Sequence, residues 1–419
     1  MNDCIIFALE NNLSIKQLEL DVSEVDIEKS NAIGALFPSL ETTIDVTKRR
    51  GLSFDPITNN VVTEPLLTGS GNLTSSITLF DGLRNYNAIA RARLNKVSEQ
   101  YRLEDLKDDI RLNVANAFVQ VLSNKESLRA LKAQYAATEQ EVEITEELVL
   151  AGVVPKGDLL EIEATLADQG QQIIEGENMV SISKLNLAQL LRVENPEDFE
   201  IKNNLQEIPS NNIMSNSAND IFHKATIHRN DVKFSQLGVE LADKNLDIAR
   251  GARYPTLTGV FEYDTRYSDL FFDIRTGLRF DFFDQLYLND GIQIRADLDF
   301  PIFNRFTINN NIKRAKIEHA LAEVAYKRTL MELEADIYRS YVDVSTFSKS
   351  YEAALRTLEA RRLAHEYSIQ RFNTGMMNTF DFIQSKVRVD EAEALLIQTK
   401  YEYILRLKIL EFYYGYSLG

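Results

Sequence analysis

The sequence predicts a mostly helical chain with a small β-part, laid out as a duplicated unit of helix, strand, strand, long helix and second helix. Three observations carry this. Leu83 to Leu150 contains neither proline nor glycine and reads as one unbroken helix. Apolar or small residues return along its second half every seven positions, at Val114, Val121, Leu128, Tyr135, Val142 and Val149. That period is the seam of a left-handed coiled coil. After an irregular connector the same pattern begins again and ends in a second rod of equal length. At 1.5 Å rise per residue each rod is about 100 Å long, more than a compact core can cover, so its partners are other rods.

Composition narrows the classes. The chain has 419 residues, 44% of them hydrophobic, enough to bury a large core. Its net charge of −17 leaves no basic stripe for phosphates, which argues against a nucleic-acid partner. Apolar runs fall well short of the roughly 18 residues of a transmembrane helix. Any membrane span would therefore be closed β-structure. Cys4 is the single cysteine, so no intrachain disulfide and no cysteine-rich metal site is available. Cys4 is expected in a buried helix position rather than as a lipid-bearing terminus. Met1-Asn2-Asp3 leads directly into a helix, and an exported chain of this kind is expected to have lost a leader. The four histidines are scattered, and no metalloprotease, phosphate-loop or nucleophile-elbow motif occurs. No catalytic residue, metal or cofactor is expected, and the chain is not read as an enzyme.

The elements follow in order. Asn2 to Leu36 reads as a helix, with Ile5, Leu9, Ile15, Leu18, Val22, Val25 and Ile33 on its apolar face. Pro38 stops it. A strand over about 39–48 alternates Leu40, Ile44 and Val46 with Glu41, Thr43, Asp45 and Thr47. A turn-rich loop, Lys48 to Ser70, leads to a strand over about 71–80, with Leu73, Ile77 and Leu79 on one face. Asp81 is a plausible N-cap for the first rod, 83–150. Ala151-Gly152 ends that rod, a tip turn occupies 151–157, and a shorter helix runs from Asp158 to about Arg192.

Residues 193–217, with Pro196 and Pro209, form an irregular connector between a first repeat, 1–192, and a second, 218–419. In the second, Ala225 to Leu257 answers Ala8 to Leu40 at a constant offset. Strands are expected at about 256–265 and 291–300, separated by an aromatic, aspartate-rich loop from Arg266 to Asp290. The second rod covers 305–372, its seam including Leu333, Ile337, Val344, Ala354, Leu358 and His365. The second tip turn covers 373–379, and a last helix runs from Asp381 to about Tyr414. The acidic run Glu139, Glu141, Glu143, Glu146 and Glu147 reads as a solvated face that Arg361 and Arg362 could pair with.

Four strands per chain are too few to close a barrel, and an open sheet in lipid would leave backbone groups unpaired. Three copies sharing strands would give twelve. The polar faces, carrying Glu41, Asp45, Glu262, Asp264, Arg295, Asp297 and Asp299, would then line water. The faces with Leu40, Ile44, Ile77, Leu79, Phe261 and Tyr263 would meet lipid.

Over essentially its whole length the chain resembles the TolC-type outer-membrane efflux proteins. The fragments that carry the resemblance are Ala8-Leu9-Glu10-Asn11-Asn12, Phe37-Pro38-Ser39-Leu40 and Leu79-Phe80-Asp81-Gly82. The turns Ala151-Gly152-Val153-Val154 with Asp158-Leu159-Leu160, and Thr374-Gly375-Met376 with Asp381-Phe382-Ile383, complete it. The resemblance implies a homotrimeric channel, a twelve-stranded barrel in the cell outer membrane continued by a coiled-coil α-helical barrel in the periplasm. It implies a passive exit duct of a tripartite efflux or type I secretion system, with a periplasmic adaptor, an inner-membrane transporter and outer-membrane lipid as partners. It further implies that Asp381 and Asp158 stand at a periplasmic gate, with Gln384 where some members carry a second aspartate. Gly152, Val153, Gly375 and Met376 would be the turn residues an adaptor grips. From the residues alone, Asp158 and Asp381 read equally as helix caps. The rival reading of the whole chain is a soluble coiled-coil scaffold or adaptor with a small β-domain.

Overall fold

The computed structural model describes residues 1–193, 195, 199–201 and 213–416. Most of the expected connector, 193–217, lies outside the described residues. Two compact units emerge, one of Met1–Leu20, Gln100–Phe234 and Lys327–Gly419, the other of Asp21–Glu99 and Ser235–Tyr326. Among the described residues no helix is long and apolar enough to cross a membrane.

The helices repeat in length as well as in order. α1 (Asn2–Asn11) and α2 (Leu13–Gly34) are answered by α5 (Ala218–His228) and α6 (Asn230–Gly251). The rods α3 (Arg84–Leu150) and α8 (Thr307–Asn373) have 67 residues each. The helices after the turns, α4 (Lys156–Leu191) and α9 (Thr379–Tyr414), have 36 each. The first helix is not continuous as expected. It breaks at Asn12, whose side chain accepts from the Ser14 N–H at 2.8 Å, and the second half breaks at the matching Arg229. A side chain that caps the next turn competes with the ladder, a local effect that apolar periodicity does not reveal.

In the first unit the core gathers Ile5, Ala8, Ile15, Val114, Phe118, Val121, Leu122, Leu187, Leu191 and Ile404. Cys4 packs half-buried at its edge. Further along α3 the best-covered seam positions are the polar members Thr138 and Thr145, both buried. The α8 seam buries Leu333, Ile337, Val344, Ala354 and Leu358 as expected.

A polar cluster sits at the α5–α6 break. Arg229 is buried, bidentate to Asp231 at 3.1 Å, and 3.7 Å from Asp105 on α3. Asp108 lies 4.0 Å from Arg229 and accepts from Asn230 at 2.9 Å. One guanidinium thus faces several carboxylates. Burial, reinforced by Asp231, pushes the Asp105 carboxyl up to about 6.

In the second unit a four-stranded antiparallel sheet runs β1 (Ser39–Arg49), β4 (Leu66–Phe80), β5 (Thr256–Ser268), β6 (Gly291–Asp299) in space. β4 starts at Leu66, earlier than expected, because its N-terminal residues pair with Lys48 and Arg49. The loop between them is not unstructured. It holds a hairpin, β2 (Ser53–Asp55) with β3 (Asn60–Val62), turning at Asn59 with φ 57°. Asp55, fully buried, accepts from the Ser268 hydroxyl at 2.9 Å, tying this loop to the end of β5. The loop after β5 holds a short helix, α7 (Phe282–Leu288), capped by Asp281. None of these three features has an apolar period long enough to read from sequence.

Both rods begin after two consecutive left-handed residues, Gly82-Leu83 and Arg305-Phe306. Asp81 caps the first, accepting from the Asn85 N–H at 2.9 Å. At Gly82 the backbone meets the end of α6 so closely that a Cβ would lie 2.2 Å from the Gly251 carbonyl oxygen. The matching Gly34, at the end of α2, has open space around it.

Gly82→Ala should cost more than about 2 kcal/mol in thermal or denaturant unfolding, from left-handed strain plus the clash. Gly34→Ala should be neutral or slightly stabilising. For Asp105 the folded chain holds the proton more tightly than the unfolded one. The stabilisation from that proton is complete below the ordinary value of 3.8 and is lost as pH rises through about 6. Asp105→Asn should therefore unfold at a higher temperature than the parent at neutral pH, with the gap closing in acid.

Candidate functional site

The strands present one polar and one apolar face, and pairing decides which residues share each. Glu41 pairs with Thr74, Thr74 with Glu262, and Glu262 with Gln293, so these four form one row across the sheet. Asp45 pairs with Ser70, Asn72 with Asp264, Thr258 with Asp297 and Thr256 with Asp299. Since side chains alternate and paired residues share a face, Glu41, Asp45, Glu262, Asp264, Arg295, Asp297 and Asp299 all lie on the same side. They are wired together there. Arg295 bridges Glu262 and Asp297, each at 3.1 Å, and the Asn72 amide donates to Glu262 at 2.7 Å. Alternation puts Asn72 on the polar face of β4; its place opposite Asp264 is a matter of register.

The other face carries Leu40, Ile44, Val46, Leu79, Phe261, Ile292, Ile294 and Leu298, every one exposed. A contiguous exposed apolar sheet face marks a surface that meets something other than water.

The two helix reversals share one geometry. At the first, Gly152 is left-handed with φ 70°, the Val153 N–H donates to Leu148 O at 2.9 Å and the Gly152 N–H to Val149 O at 3.0 Å. At the second, Gly375 has φ 71°, and Met376 and Gly375 donate to Arg371 O and Phe372 O at 2.8 and 2.9 Å. Both are Schellman caps, which require a residue without a Cβ penalty at that position. Each glycine has open space around it, and the next residues, Val153 and Met376, are exposed.

The gate candidates differ from one another. Asp158, half-buried in the first turn of α4, accepts a hydrogen bond from the Thr379 hydroxyl at the start of α9. This joins the two turns of one chain. Asp381 is exposed and takes part in a reciprocal cap with Asn378: its N–H donates to Asn378 Oδ1 at 2.7 Å, and the Asn378 amide donates to its carboxylate at 3.1 Å. Gln384 is exposed beside it. Asp381 and Gln384 share an open groove of about 560 Å³ with Arg361, Arg371 and Arg388. The expected pairing of Arg361 and Arg362 with the acidic run of α3 is not made as such. Arg362 reaches Glu393 on α9 at 3.2 Å, and Glu141 is taken by the buried Lys386 at 2.8 Å, which also donates to Thr138 at 3.0 Å. Helix phase decides this: Glu141 and Thr138 lie three residues apart on one face of α3 and can meet one ammonium. His365 stacks on Phe382, centroids 5.4 Å apart, and burial lowers its pKa. It is packed on the seam.

A family model described as outer membrane efflux protein matches residues 6–191 and 221–415. No curated protein matches the chain. Among solved structures, the outer membrane protein VceC of Vibrio cholerae superposes with a TM-score of 0.83 at 15% identity, covering 100% of this chain and 96% of its own. The CmeC outer membrane channel of Campylobacter jejuni gives 0.81 at 18% identity, with 99% and 85% covered. The open state of the MtrE outer membrane channel of Neisseria gonorrhoeae gives 0.78 at 16%, with 100% and 89% covered. These structures share the fold. The family match over nearly the whole chain shows that it belongs to the outer membrane efflux protein family.

Proposed function

We propose that three copies of the chain close one duct, a twelve-stranded barrel in the outer membrane continued by an α-helical barrel in the periplasm, and that it is the passive exit of a tripartite efflux or type I secretion system. The observation that carries this is the sheet itself. Its order leaves β1 and β6 as open edges of 11 and 9 residues, and its apolar face carries exposed residues on every strand. Long open edges invite pairing with another chain, and in lipid they must be paired. Because β4 pairs with β5 between the two halves, the repeat supplies the missing pairing as β6 of one copy with β1 of the next.

The helices support the same reading. On α8 the exposed Ile317, Leu321, Val324, Met331, Tyr338 and Val342 follow coiled-coil spacing, as do Leu13, Leu20 and Ile27 on α2. Gly251 meets the start of the first rod, whereas the matching Gly34 meets nothing. In a ring of repeats its neighbour is the start of the second rod in another copy. A soluble scaffold would leave these faces in water.

In the assembled duct Glu41, Asp45, Glu262, Asp264, Arg295, Asp297 and Asp299 line the barrel lumen. Asp381 with Gln384 stands at the periplasmic mouth, and Asp158 holds the two turns behind it. Gly152, Val153, Gly375 and Met376 form the surface gripped by a periplasmic adaptor, which couples the duct to an inner-membrane pump. The bare glycines admit close approach of a partner backbone, and the two exposed apolar side chains supply its contact. The duct performs no covalent chemistry, and the pump selects the cargo.

The mass of the detergent-solubilised assembly should be that of three chains; a monomer that stays soluble without detergent would overturn the reading. In planar bilayers Asp381→Ala should raise basal conductance or weaken block by multivalent cations. If neither changes, Asp381 is a helix cap and nothing more.

A further inference from the structure

The short helix α7 lies on the apolar face of the sheet. The Thr265 hydroxyl on that face donates to Leu286 O at 2.6 Å, and the ring of Phe282 sits 5.1 Å from that of Tyr267. Gln285, fully buried, pins the helix by accepting from the Ser268 N–H at 2.9 Å and donating to Phe280 O at 3.0 Å. Phe283, Tyr287 and Leu288 remain exposed on α7, and Phe272, Ile274 and Leu278 on the loop before it. A loop meant only to cap a water-filled mouth has no reason to lie against the outer, apolar side of its strands with aromatics facing outward.

Between α7 and the strands the sheet is hollowed. Ile44 pairs with Gly71 and Val46 with Gly69, and the two glycines pair onward with Thr265 and Tyr267. With no side chains on β4 at these two positions, a groove of about 430 Å³ opens, walled by Ile44, Val46, Leu73, Tyr263, Tyr267 and Phe282. That volume falls within the roughly 300–1,000 Å³ of small-ligand sites. A Cβ on Gly69 or Gly71 would come no closer than 3.6 Å to any neighbour, so packing does not demand glycine at either position. What the glycines provide is the empty space. Two residues after Val46, Lys48 follows on the same face of β1 and is exposed.

We propose that this groove seats one fatty-acyl chain of an anionic, phosphate-headed membrane lipid, with Lys48 facing its headgroup and the aromatics of α7 anchored at the membrane interface. The occupant is set by continuity: the groove opens on the face that carries Leu40, Ile44, Ile292 and Ile294, which meets hydrocarbon if the strands form the barrel proposed above. Aromatic rings beside an apolar band belong at the membrane–water boundary, where their amphipathic edges are best solvated. A cation one step beyond complements a phosphate there. The site depends on the barrel reading, since a sheet in water would have no acyl chain to bind.

The chain contains no tryptophan, so a single introduced one is a unique fluorophore. Two reporters in the reconstituted full-length protein separate the two readings: Tyr263→Trp inside the groove, and Ile294→Trp on the same face outside it. The probe is phosphatidylglycerol brominated along its acyl chain, titrated into phosphatidylcholine vesicles. The expected result is that both reporters lose most of their emission. Quenching at position 263 should saturate at a lower fraction of brominated lipid than at position 294. Gly71→Leu, which fills the groove, should remove that preference at 263 and leave 294 unchanged, and Lys48→Ala should shift the 263 curve toward the 294 curve. Retained quenching at 294 in the Gly71→Leu protein shows that the barrel has assembled. Quenching at 294 with none at 263, as when a second copy covers the groove, would overturn the proposal. So would a 263 curve that Gly71→Leu does not alter. No quenching at 294 would instead overturn the barrel.

Discussion

A sheet edge in hydrocarbon has nowhere to place its hydrogen bonds, and this constraint governs the chain. Water can satisfy an unpaired N–H or C=O at a soluble edge, whereas lipid cannot. Four strands with an apolar face and a charged, hydrogen-bonded face are too few to close a cylinder within one chain, which is why a shared barrel is proposed. The duplicated order, the exposed heptad stripes and the glycine left without a neighbour answer the same requirement. In the trimer proposed above, each is half of a contact whose other half belongs to another copy.

The two faces of the sheet divide the work. On the polar face Arg295 spans Glu262 and Asp297, and Arg266 lies 3.5 Å from Asp264, which relieves the repulsion among the carboxylates there. On the apolar face the strands are not uniformly bulky. Gly69 and Gly71 leave β4 without side chains beside α7, which gives the apolar surface a recess there. The loop helix is held by Gln285 and Thr265, two polar residues whose hydrogen bonds are made locally and so survive away from bulk water.

At the helix reversals the chemistry is conformational before it is electrostatic. Gly152 and Gly375 exist because a Schellman cap places a residue at positive φ. Asp381 completes a cap with Asn378, and Asp158 is committed to Thr379 across the two turns. A carboxylate can cap a helix and still present its charge outward. Arg361 and Arg371 of the preceding rod and Arg388 of α9 line the same groove as Asp381.

What the sequence by itself determined was everything governed by periodicity and backbone chemistry. The two rods, the four main strands, the glycine turns and the doubling of the plan follow from seven-residue and two-residue repeats, from proline and glycine positions, and from a constant offset. Strand alternation also put Glu41 with Asp45, and Arg295 with Asp297 and Asp299, on one face of their own strands, and register joined those faces across the sheet. The break at Asn12, the hairpin around Asn59 and the helix Phe282–Leu288 were not legible, since each is too short for its pattern to repeat enough times to stand out. Only the tertiary structure decided partners: that Lys386 rather than Arg362 takes Glu141, that Arg229 gathers Asp105 and Asp231, and that Asp158 finds Thr379. Such pairings depend on which turn of one helix lies against which turn of another, and packing, not spacing along the chain, sets that phase.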